Sequence, residues 1–66
     1  MDYRIEFEQE EDGRWIAEIV ELPGVMAYGS SRLEAESKVQ AIALRAIADQ
    51  LDREHATTDH VQFAAA

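Results

Sequence analysis

The sequence predicts an α+β fold of the order β-β-β-α-β, an antiparallel sheet with one long helix packed on one face. Three observations carry this expectation. Tyr3-Arg4-Ile5-Glu6-Phe7-Glu8 alternates apolar and polar residues, the period of a half-buried strand. Trp15 to Val20 is rich in aromatic and β-branched residues, as a partner strand should be. From Arg32 to about Arg53 there is neither Gly nor Pro and Ala is abundant, which favours an uninterrupted helix.

The loop between the first two strands decides their pairing. A two-residue Asp12-Gly13 turn would set Phe7 opposite Glu18. A three-residue loop, Glu11-Asp12-Gly13 with Gly13 left-handed, sets Phe7 opposite Ala17 and Ile5 opposite Ile19. Only the second register gathers Tyr3, Ile5, Phe7, Trp15, Ala17 and Ile19 on one face, and a one-residue slip would send a strand's apolar set to the wrong side. The longer loop is therefore expected. It turns Ile16 and Val20 to the other face, beside Arg4, Glu6 and Glu8.

Leu22-Pro23-Gly24 breaks the second strand. Pro presets φ and Gly accepts a positive φ, so Pro23-Gly24 suits the centre of a type II turn. Val25 to Tyr28 forms a short third strand that ends at Gly29. Ser31-Arg32-Leu33-Glu34 matches the capping box, in which Ser31 caps the helix and Glu34 reaches back to the cap N–H. His55 to Asp59 reads as a polar connector and His60 to Phe63 as a closing strand, with Ala64-Ala65-Ala66 carrying no signal.

At 100° per residue, Ala35, Val39, Ile42, Ala43, Ala46 and Ile47 form one helix stripe, enough to cover a sheet. Leu33, Ala41, Leu44, Ala48 and Leu51 form a second, adjoining arc. That surplus marks an interface unless the sheet curls enough to cover part of it, and a 66-residue chain has reason to need one. Domains of this size bury only about 60% of their unfolded surface, and small domains gain stability from disulfides, metals or partners. With no cysteine, disulfides and thiolate metal sites are excluded. Self-association is the remaining route, and Ile16, Val20, Leu33, Leu44 and Leu51 are the candidate interface residues.

The charge is −8, from 14 acidic and 6 basic side chains. Nucleic-acid phosphates require clustered Lys and Arg, so no direct nucleic-acid ligand is expected. The charge suits a basic protein partner or serves only to keep a small protein soluble. The N-terminal MDYRIEFEQ has no apolar core region of a signal peptide, and no segment reads as membrane-spanning; a cytoplasmic location is expected.

No catalytic, cofactor or metal-binding set is recognisable. His55 and His60 are spaced unlike convergent ligands, and a site without Cys would need carboxylates. Ser30, Ser31 and Ser37 lack a base and an orienting acid. Glu6, Glu8, Glu10, Glu11 and Asp12 crowd one exposed hairpin, where charge discourages unwanted strand pairing.

The string Asp12-Gly13-Arg14-Trp15-Ile16-Ala17-Glu18, then Glu21-Leu22-Pro23-Gly24-Val25, Tyr28-Gly29 and Leu33-Glu34-Ala35 opening an Ala-rich helix resembles the HicB-like antitoxin family. The resemblance spans nearly the whole chain, residues 1–66 as one domain. It implies a pared-down ribonuclease H-like fold, with Leu22, Pro23, Gly24, Tyr28, Gly29, Glu34 and Ala35 as architectural residues. It implies a non-catalytic, oligomeric antitoxin that binds and inhibits a HicA-like toxin, a small basic mRNA-cleaving ribonuclease. Family members usually add a C-terminal DNA-binding domain, which this chain does not show. The alternative is an orphan oligomeric scaffold or regulatory module with another protein partner.

Overall fold

The computed structural model describes residues 1–65. Its elements are β1 (Asp2–Gln9), β2 (Trp15–Ile19), β3 (Met26–Gly29), α1 (Arg32–Glu54) and β4 (Gln62–Ala65). One sheet holds all four strands in the order β3-β2-β1-β4. At about 1.5 Å per residue, the 23-residue helix runs most of the 42 Å length of the molecule.

The first hairpin adopts the register that the three-residue loop demands. Phe7 lies opposite Ala17 and Ile5 opposite Ile19. Glu10 N–H donates to Arg14 O at 2.7 Å and Gly13 N–H to Glu10 O at 3.0 Å. Gly13 takes φ +94°, and Asp12 closes the turn by accepting from Arg14 N–H and Nε. Those two bonds, the main-chain one first, hold the Asp12 carboxyl below its ordinary value.

Leu22 to Val25 is a type II turn. Val25 N–H donates to Leu22 O at 3.0 Å, with Gly24 at φ +87° in the position that needs it. The reversal returns β3 antiparallel to β2, with Ala17 opposite Ala27 and Trp15 opposite Gly29.

The sheet is mixed rather than antiparallel. β4 runs parallel to β1, with Tyr3 beside Phe63. The reason is topological: β1 and β3 point the same way, and a single helix crossover returns the chain to the starting end. The closing strand also begins two residues later than His60. Its inward anchor is Phe63, whose ring lies 5.9 Å from that of Tyr3. Ala64 and Ala65 complete the strand, since pairing with β1 overrides their weak strand preference. Ala66 lies outside the described residues.

The core joins the inner sheet face to the first helix stripe. Tyr3, Ile5, Ala17, Ile19 and Ala27 meet Ala35, Val39, Ala43 and Ile47, all buried. Ile42 and Ala46 are half-buried at its margin. α1 packs chiefly on β3 and β2. At its start the approach is tight, since a Cβ on Gly29 would collide with the backbone nitrogen of Ala35.

Ser31 caps the helix, its Oγ accepting from Glu34 N–H at 3.1 Å. The reciprocal arm differs from the expected box. Glu34 Oε1 accepts the N–H of Ser30, not of Ser31, at 3.0 Å, because the extended Ser31 backbone presents the preceding amide. Lys38 Nζ also reaches Glu34 at 3.3 Å. Together, with the Ser30 amide foremost, these hold the Glu34 carboxyl below its ordinary value. The far end closes with His55 left-handed at φ 51°, and Ala56 N–H donates back to Leu51 O at 3.2 Å, in the manner of a Schellman cap.

Two outcomes test this junction. Gly29→Ala should destabilise the fold by about 2–3 kcal/mol through overpacking. Gly24→Ala, with open space around it, should cost about 1 kcal/mol through its positive φ. Urea unfolding of both variants measures the difference, and a Gly29→Ala protein as stable as Gly24→Ala would refute the close approach. Glu34 supplies stability while ionised in the fold. That contribution is complete above its ordinary value of 4.5 and is lost as pH falls through the lowered folded value. The melting-temperature gap between wild type and Glu34→Gln should therefore narrow steadily into acid. A gap that stays constant would place no proton linkage at Glu34.

Candidate functional site

The helix leaves the opposite face of the sheet bare. Arg4, Glu6 and Glu8 of β1, Ile16 and Glu18 of β2, Val20 after it, and Met26 and Tyr28 of β3 share this open face by strand alternation. Glu6, Glu8, Ile16, Glu18 and Met26 line a shallow hollow of about 370 Å³ together with Phe7. Glu6 stands directly opposite Glu18, a cross-strand arrangement of like charges that destabilises a sheet. Neither carboxylate has an ion-pair partner among the described residues.

Arg4 is committed elsewhere. Its Nε donates to Glu21 Oε2 at 2.9 Å and its main-chain N–H to Glu21 Oε1 at 2.8 Å. The Glu21 carboxyl is lowered by the main-chain bond first and the guanidinium second, and the same contact raises Arg4. Glu21 thus continues the β1–β2 ladder with its side chain past the end of β2. Sequence reasoning placed Glu21 only within the motif. A carboxylate just beyond a strand that faces an arginine on the neighbouring strand was the available signal.

The candidate interface residues separate into two groups. Ile16 and Val20 are half-buried on the open sheet face. Leu33 is 74% and Leu44 48% exposed, whereas Leu51 packs against the core. Met26 and Tyr28, 42% and 44% exposed, join the first group; the sequence marks Met26 only as a third-strand residue and Tyr28 as an architectural one. Arg14 lies over the Tyr28 ring at 5.0 Å.

The helix flanks differ. Glu34 bonds Ser30, which continues β3, so its flank borders β3. Arg32 covers the ring of Phe7 in β1 at 4.2 Å, so the other flank borders β1. By helical angle, Lys38, Ala41 and Arg45 follow Glu34, while Leu33 and Leu44 lie towards β1.

The architectural residues Leu22, Pro23, Gly24, Tyr28, Gly29, Glu34 and Ala35 all fall at the two junctions bounding β3 or within it. The candidate chemistry-bearing residues are dispersed. Ser31 is the cap, His55 closes the helix, and His60 contacts Asp59 at 3.1 Å and Asp2 at 3.5 Å. Among the described residues no group of three or more His, Cys, Asp or Glu converges as metal ligands, and no helix is long and apolar enough to cross a membrane. The arrangement can bind by shape, apolar contact and negative charge. Set against family models, curated proteins and solved structures, the chain matches none.

Proposed function

We propose that the protein is a HicB-like antitoxin, a non-catalytic, self-associating cytoplasmic protein that binds and inhibits a small basic HicA-like toxin. The observation that carries the reading is the acidic face, where Glu6 stands opposite Glu18 around the apolar floor of Ile16 and Met26 and neither carboxylate has an ion-pair partner among the described residues. Such a face gains most from a partner that brings clustered Lys or Arg, since opposite potentials steer encounter and fix register. The motif string from Asp12 to Ala35 supports the choice of partner. A toxin whose RNA-binding surface is basic would be silenced by occlusion alone, with no chemistry from this chain.

The test is cleavage of mRNA by a purified HicA-like toxin with this protein in excess. The expected result is loss of cleavage, with inhibition weakened about tenfold or more by Glu18→Lys. That substitution should leave the fold intact or firmer, because it replaces a like-charge pair with an opposite one. Full toxin activity in the presence of excess protein would overturn the reading and favour the orphan module. Equal inhibition by Glu18→Lys would remove the acidic face from the mechanism.

A further inference from the structure

The outer edge of β3 is built for a strand. Ile19 N–H donates to Val25 O at 3.0 Å, and antiparallel alternation then turns Val25, Ala27 and Gly29 towards β2. The N–H and C=O of Met26 and Tyr28 therefore point away from the sheet. Their side chains are large, apolar and exposed. The strand contains no Lys, Pro or bulge of the kind that normally blunts an edge. The other edge, β4, presents only Gln62 and Ala64 on the open face, whereas α1 packs chiefly on β3 and β2.

We infer that β3 pairs antiparallel with β3 of a second copy of this chain, making one continuous sheet across a two-fold axis at Ala27. This gives a location to the self-association in the reading above and does not depend on the toxin. In that register Met26 faces Tyr28 of the second copy, and about four main-chain hydrogen bonds form. On the open face Ile16, Tyr28 and Met26 become one apolar strip that continues into the second copy.

The helix layer fits the same axis. α1 lies over β3 and β2, so strands spaced at about 4.8 Å set the two helices about 10 Å apart, which is contact distance. Ala35 abuts Gly29. The level of Ala27 then falls about four helix residues further on, near Val39. A two-fold there brings Glu34 against Arg45 of the second copy and Lys38 against its Ala41, all on the flank that borders β3.

Arg45 supplies an independent reason. Of the six basic residues, Arg4, Arg14, Lys38 and Arg53 are in ion pairs, and Arg32 covers Phe7. Arg45 alone has neither kind of contact among the described residues, and the two-fold gives it a carboxylate.

The experiment combines solution mass by sedimentation with residue-resolved amide exchange on the 66-residue chain. The expected result is a dimer in which Met26 and Tyr28 amides are protected like that of Ala27, although nothing within one copy bonds them. Tyr28→Pro, which removes the outward N–H together with the ring that Arg14 covers, should abolish both dimer and Met26 protection. If that variant fails to fold, Arg45→Glu serves in its place and should weaken dimerisation about tenfold. Leu44→Glu should leave the dimer intact. A monomer at all concentrations, a dimer with unprotected Met26 and Tyr28, or dissociation by Leu44→Glu alone would each overturn the assignment. None of these outcomes involves the toxin, so the antitoxin reading stands or falls separately.

Discussion

The three-residue loop Glu11-Asp12-Gly13 is the constraint on which the rest of the structure depends. Because Gly13 accepts a positive φ, Phe7 meets Ala17 rather than Glu18, and Tyr3, Ile5, Phe7, Trp15, Ala17 and Ile19 turn to one side. That side becomes the floor for the helix. The same choice sends Glu6, Glu8 and Glu18 to the other side together with Ile16. A single loop residue thus creates both the core and the acidic face.

The second constraint is economy of length. One helix is asked to cover four strands, and it lies over β3 and β2. Its placement is set by the contact of Ala35 with Gly29 and by the Ser31 cap. The Leu22-Pro23-Gly24 turn brings β3 to that junction. These are structural roles for the motif string, and they account for the definite turns in the middle of the chain. What remains uncovered is the open sheet face, the edge of β3 and the Leu33–Leu44 flank, and the reading of function rests on the first two of these surfaces.

Much of the fold was legible because local rules and global packing agree. The hairpin register, the type II turn, Ser31 as cap and the Ala35–Val39–Ala43–Ile47 stripe follow from period and turn chemistry. The misses arise where tertiary pairing decides. The parallel β4 depends on where a crossover returns the chain, and its alanines carry no strand signal. The shifted arm of the capping box depends on the φ and ψ of Ser31. Leu51 falls on the surplus arc by angle but packs against the core, because the chain folds back beyond the helix end. The partly exposed Met26 and Tyr28 could not be told from buried strand residues until the sheet order made β3 an edge.

The central claim is the proposal that the acidic surface, whose Glu6 and Glu18 have no ion-pair partner among the described residues, receives a basic protein. Capture with tagged protein from its native lysate, washed at rising salt, tests it most directly. The account predicts recovery of a small basic protein that is released as salt screens the charges. Recovery of only further copies of this chain, or of a partner that is neither basic nor released by salt, would contradict it.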